Sequence, residues 1–208
     1  MKMNRPVRSN ISFGVAICAV LLWSACGVLA QQPGPADAAA PGGGSDIIRI
    51  RKMTPVKEKT PVFETKMPSA STKRPMDWWR VVVEFETQPE WIDELEFTYY
   101  AYVEDQSNKG APVMFRGMVT YINIAKGRHM ADMFLGPSTL VRMGVVKQIA
   151  VVVKAKGAVV ATESTATRPN WWDGFPPVDG VLLNRSQTPF AFIDFDAYET
   201  IKPAAAAR

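Results

Sequence analysis

From Trp78 onward the side chains alternate: Trp79, Val81, Val83 and Phe85 interleave with Trp78, Arg80, Val82, Glu84 and Glu86. Successive side chains of an extended chain point to opposite faces, so this spacing predicts a strand with one apolar side. A second run is cleaner still. Leu95, Phe97, Tyr99, Ala101 and Val103 fall on one side, and Glu94, Glu96, Thr98, Tyr100, Tyr102 and Glu104 on the other. Two consecutive segments with an apolar face each have to bury it against another layer, which fixes the class before composition enters.

Turn chemistry divides the rest. The cluster QSNKGA from Gln106 to Ala111 predicts a hairpin between the second run and a strand from Met114 to Ile124. Ala125-Lys126-Gly127 reads as another turn, Met130 to Leu135 as a short strand, and Pro137 to Gly144 as helical turns capped by Ser138 and ended by Gly144. Lys156-Gly157 separates Gln148 to Ala155 from Ala158 to Ala161 as a second hairpin. A loop follows with Trp171-Trp172 and Pro176-Pro177, and Phe190 to Phe195 reads as a last strand. On the N-terminal side, DIIRIRKMTPV from Asp46 to Val56 is a first strand that Pro55 confines to a sheet edge, with a loop from Lys57 to Pro75. About seven or eight short strands and one short helix predict an all-β fold, an immunoglobulin-like β-sandwich first and a barrel second.

Charge sharpens that choice. A simple hairpin about Glu90 would set Glu84 near Glu96 and Glu86 near Glu94, and like charges opposite one another destabilise a sheet. Placing the two strands in different sheets removes the clash; a bound cation is the other relief.

The chain opens with Lys2, Arg5 and Arg8, an apolar stretch from Phe13 to Leu22 and small residues ending at Ala30, the plan of a cleaved signal peptide. Lipidation at Cys26 and retention as an anchor compete with cleavage. The apolar part is about half the roughly twenty residues a spanning helix needs. The organisation expected is a signal peptide over 1–30, a flexible Pro/Gly/Ala-rich linker over 31–45, a β-sandwich over 46–200 and a tail over 201–208. Cys18 and Cys26 both lie in the leader, so the mature chain is held without disulfides. Three of the 24 Lys and Arg and none of the 20 acids lie there too, which leaves the mature chain nearly neutral. Its basic arm, residues 46–74, can touch a membrane surface or an acidic partner, but a charge excess of this size is more often a solvated segment, and an extracytoplasmic location makes nucleic acid an improbable partner.

The inventory excludes much chemistry. With His129 the single histidine and no mature cysteine, zinc sites and most nucleophilic triads are out. Paired carboxylates stay open, although most acids fall on solvent faces. His129, Met130 and Met133 have the donor mix of a monovalent copper carrier, but in a strand Met130 points away from the other two. No cofactor or metal is expected, and no catalytic residue is assigned. The candidate partner-binding residues are aromatic: Trp78, Tyr100 and Tyr102 on the polar faces of their strands, and Trp171 and Trp172 in the loop. Such rings meet a protein partner, stack on sugar, or lie under a second layer of the same chain.

PEWIDELEFTYYAYVE (Pro89 to Glu104), INIAKGRHMADMFLGPSTLVR (Ile122 to Arg142), the Trp171-Trp172 pair and TPFAFIDFDAY (Thr188 to Tyr198) resemble the pilus-like proteins of Verrucomicrobia. The likeness covers most of the chain after Trp78. It implies an exported immunoglobulin-like sandwich, associated with type IV pilus machinery and not an enzyme. The leader departs from a pilin's, having no acid before Asp37, so polymerisation through an N-terminal helix is not implied. The function expected is that of a non-catalytic periplasmic or surface module. Its partners would be other envelope or pilus proteins, a second copy of itself among them, with membrane association only through the leader or a lipid. A carbohydrate-binding module is the first alternative, a periplasmic copper carrier the second.

Overall fold

A computed structural model describes residues 47–63 and 74–203. The expected leader, the linker and the tail beyond 203 lie outside the described residues. Eight strands, β1 (Ile48–Lys59), β2 (Asp77–Asp105), β3 (Ala111–Leu135), β4 (Val146–Ala155), β5 (Ala158–Ser164), β6 (Pro177–Asp179), β7 (Leu182–Asn184) and β8 (Thr200–Ile201), belong to one open sheet, with one helix, α1 (Pro137–Met143), between β3 and β4.

Two strands organise it. β2 and β3 pair antiparallel from Asp105 opposite Ala111 to Trp79 opposite Leu135, with a break in register between Thr87 and Trp91. The first half of β2 lies between β1 and the second half of β3; the second half lies between β4 and the first half of β3. At the break the sheet folds over, so the apolar sides of the two halves meet. Phe85 from one half packs on Phe97 from the other at 5.1 Å between ring centroids, and Phe97 meets Tyr121 edge-on at 5.4 Å. Val81, Val83, Leu95, Tyr99, Val151 and Val153 complete this core. The result is an all-β, sandwich-like fold whose two layers are halves of the same strands.

Most alternation and turn readings hold. The hairpin at Gln106 to Gly110 closes with Lys109 at φ 53° and Gly110 at φ 80°; that between β4 and β5 closes with Lys156 at φ 50° and Gly157 at φ 81°. In the two-residue turn at Lys156-Gly157, positive φ at both central residues matches the twist of the flanking strands. The chain does not reverse at Ala125-Lys126-Gly127, however. β3 runs on, deformed by Asn123 at φ 56° and Gly127 at φ 143°, where it follows the break in β2. Nor are the two alternating runs separate strands in different sheets. They are one strand, and the predicted clash of acids never arises: Glu96 stands opposite Lys154, 3.5 Å from its ammonium, and Glu86 accepts from Arg51 Nε at 2.8 Å.

Three local readings are corrected. β1 continues through Pro55 to Lys59, since an edge strand loses little when one residue lacks an N–H. The helix is capped by Gly136 and opened by Pro137, whose preset φ suits the first helical position, with no bond from Ser138 as cap. The expected strand from Phe190 to Phe195 is instead a pair of 3-10 turns, Pro189–Phe192 and Phe195–Ala197. Pro189 and the Thr188 hydroxyl, accepting from Phe190 N at 3.3 Å, start the first, and Asp194 at φ 48° breaks the extension between them.

Candidate functional site

Both layers also carry side chains on their outer faces, and each outer face is covered by a different irregular segment. On the β1–β2–β3 half, the positions that alternate with the core are Trp78 and Arg80 on β2, Asp132 and Phe134 on β3, and Glu58 on β1. A strap, residues 185–199, lies across them. Phe190 stacks on Phe134 at 4.9 Å and meets Trp78 edge-on at 5.7 Å. Arg185 Nη1 reaches Asp132 Oδ2 at 2.5 Å, the same oxygen to which Arg80 Nε donates at 3.1 Å. Arg80 also donates to Glu58 at 2.6 Å and to the Tyr198 hydroxyl, and the Arg185 guanidinium lies 3.7 Å from the centroid of the Tyr198 ring.

Asp132 is 0% exposed, and burial pushes its carboxyl up from the ordinary range while Arg185 and Arg80 pull it back. A carboxylate so enclosed, sharing one oxygen between two guanidinium groups, ties the strap to the sheet and presents nothing to a substrate. Its other oxygen, Oδ1, has no protein partner.

The second outer face, on the half containing β4, is covered by aromatic rings. Trp172 stacks on Tyr100 at 5.6 Å, Trp171 meets Tyr102 edge-on at 6.4 Å, and Phe175 tilts against Tyr102 at 5.4 Å. Met114, Ala150 and Val152 form the floor, and Trp171 Nε1 donates to Ser164 Oγ at 2.8 Å.

The five predicted partner-binding rings therefore divide. Tyr100, Tyr102, Trp171 and Trp172 come together; Trp78 stands apart on the other half, its Nε1 donating to Thr60 Oγ1 at 3.0 Å. Trp171 and Trp172 are 5% and 8% exposed and pack on the strand rings, the third of the fates open to them, while Trp78, Tyr100 and Tyr102 are half-buried. A sugar platform needs a free ring face, and those of Trp171 and Trp172 are taken up by the chain itself. Sequence reasoning missed Asp132, Arg185 and Tyr198. The signal for Asp132 was an acid inside the apolar run MADMFL; nothing comparable marked Arg185.

His129 is engaged on both nitrogens, with Nδ1 at 2.6 Å from Glu199 Oε1 and Nε2 at 2.8 Å from the Ala125 carbonyl. Met133 lies in the core, and Met130 lines the outer surface, so the three copper donors do not converge. Among the described residues no three His, Cys, Asp or Glu side chains are grouped to hold a metal, and no helix is long and apolar enough to cross a membrane.

What the covers leave exposed is narrower. β1 carries Arg49, Arg51, Lys52, Lys57 and Lys59 along an edge, and the strap presents Phe192 and Phe195, 80% and 69% exposed, with Asp194 and Asp196 beside them. Between them lies a cavity of about 450 Å³ lined by Arg51, Glu84, Phe85, Arg128, His129, Met130 and Ala197.

A family model matches residues 43–205, which takes in both layers and both covers. The chain belongs to that family. A crystal structure of a protein from Akkermansia muciniphila is similar to it with a TM-score of 0.69 and 25% sequence identity, covering 76% of this chain and 94% of that one. No curated protein matches.

Proposed function

We propose that this family member is a non-catalytic, exported module of a cell-envelope or pilus-like assembly, working through protein–protein contacts. One observation carries the reading. The outer faces, where a ligand platform would sit, are largely covered by the chain's own aromatics and ion pairs, and the exposed surface includes a basic sheet edge beside an acidic, aromatic strap. Such surfaces recognise other proteins: an edge strand offers unpaired N–H and C=O groups, and exposed rings with fixed charges supply anchors.

Support for the pilus-like part comes from the resemblance of Pro89 to Glu104, Ile122 to Arg142 and Thr188 to Tyr198, and from likeness to a verrucomicrobial protein over most of both chains. We read the folded sheet as a variant of the immunoglobulin-like sandwich on the same grounds. Export rests on the basic, apolar and small-residue plan of residues 1–30.

The test is fractionation of the native cells, with the protein followed by antibody through cytoplasm, periplasm, envelope and sheared surface appendages. Recovery with the envelope or appendages, and chemical crosslinks to proteins of the same fraction, is the expected result. A cytoplasmic protein would overturn the reading, as would a purified chain with turnover abolished by substitution of its acids.

A further inference from the structure

The strap and the cavity beside it have complementary chemistry. The strap's tip is Asp194-Phe195-Asp196, an exposed ring with a carboxylate on each side, held out by Asp194 at φ 48° and anchored behind by Phe190, Tyr198 and Arg185. The cavity has Phe85 and Met130 in its wall and Arg51 and Arg128 among its lining. Arg49 stands opposite Glu86 and Lys52 opposite Glu84 on the same surface, and Glu199 reaches His129, so four bases (Arg49, Arg51, Lys52 and Arg128) face three acids there. Arg51 is engaged with Glu86, and His129 with Glu199; Arg128 makes no ion pair within 4 Å among the described residues. An apolar pocket with a cationic surround is what a phenyl ring flanked by two carboxylates requires.

The chain cannot fill its own pocket with Phe195, because Ala197, two residues on, already lines it and the ring points to solvent. A second copy can. Knob and hole lie side by side on one surface, and a self-complementary patch of that kind is the condition for a two-fold interface, in which each copy gives and receives the same contact. We infer that the protein pairs with a second copy of itself, each inserting Phe195 into the cavity lined by Arg51, Arg128 and Met130 of the other, with Asp194 and Asp196 meeting the surrounding bases. This names a partner within the assembly reading and rests on it.

Sedimentation equilibrium of the full chain tests it. A dimer is expected whose dissociation constant rises several-fold between about 50 and about 500 mM salt, as exposed charges are screened. Phe195→Ser should weaken it at least about tenfold, as truncating a central aromatic anchor does. Two charge-reversed chains give the sharper test: Asp194→Lys with Asp196→Lys, and Lys52→Glu with Arg128→Glu. Each should be monomeric alone, and an equimolar mixture should form a one-to-one dimer, with circular dichroism confirming that each chain is folded. A monomer at every concentration, a dimer indifferent to Phe195→Ser, or folded reversed chains that fail to associate on mixing would each overturn the pairing. A monomer that still fractionates with envelope assemblies would sink this inference and leave the assembly reading standing; a dimer recovered from cytoplasm would do the reverse.

Discussion

The two covers solve the same problem with opposite chemistry. Over Tyr100 and Tyr102 the chain lays Trp171, Trp172 and Phe175, and the joint is made of ring contacts with one indole hydrogen bond to Ser164. Over Trp78 and Phe134 it lays a strap whose single buried ring, Phe190, is accompanied by Asp132, Arg80 and Arg185. Apolar burial tolerates small shifts of a ring, because dispersion contacts have little direction. A carboxylate shared by two guanidinium groups does not, since desolvation of each ion is offset only in good geometry. The strap is thus the cover with one permitted seat, and it is also the one that presents Phe195.

The contrast can be broken by mutation. Asp132→Ala should be most damaging, at about 3–5 kcal/mol, because it leaves the buried Arg185 without a counter-ion and Arg80 with Glu58 alone; denaturant unfolding measures the loss, and limited proteolysis should find the strap opened first. Trp172→Ala should cost about 3 kcal/mol through lost burial and the space left on Tyr100. Its effect should be the same at low and high salt, and a salt-dependent loss would refute the description of that cover as apolar. Replacing the ionic trio together, with Arg80→Met, Asp132→Leu and Arg185→Met, should cost less than Asp132→Ala alone, since the desolvation penalty leaves with the charges. If the triple variant is the worse of the two, the network itself is the source of stability.

A smaller effect separates surface pairs from the buried one. Arg116 holds the Asp179 carboxyl below the usual range, through bonds of 2.7 Å that link β6 to β3. A depressed folded-state pKa contributes stability that is present above the unfolded value and lost as pH falls through the folded one. Asp179→Asn should therefore remove a small part of the loss of stability on acidification below about pH 4. For Asp132 the sign is opposite: a carboxyl raised by burial contributes stability below its unfolded pKa that is lost as pH rises through the raised value.

How much of this was legible follows from the same contrast. Alternation is a local property, and it correctly placed the inner face of β2 from Trp79 to Val103 and both hairpin turns. A break in register and a reversal of the chain draw on the same residues, so Ala125-Lys126-Gly127 reads as a turn although β3 passes through it. Alternation in FAFIDF also suggested a strand, which Pro189 and Asp194 overrode through backbone conformation. Tyr100 and Tyr102 could be assigned to an outer face. What lay over them could not, because the covering segment begins at Trp171, far along the chain. Arg185 was illegible for the same reason: its partner lies 53 positions earlier, and nothing short-range marks it.

The pairing of β2 with β3 bears on how the molecule assembles itself. Its closing turn at Gln106 to Gly110 brings Asp105 to Ala111 first, and each later pair, out to Trp79 with Leu135, adds to a ladder already formed. Loop closure is then met once, at the shortest loop, and the remainder zips. Gly110, at φ 80°, sits at the start of that zipper, so a β-branched residue there should slow refolding more than it speeds unfolding.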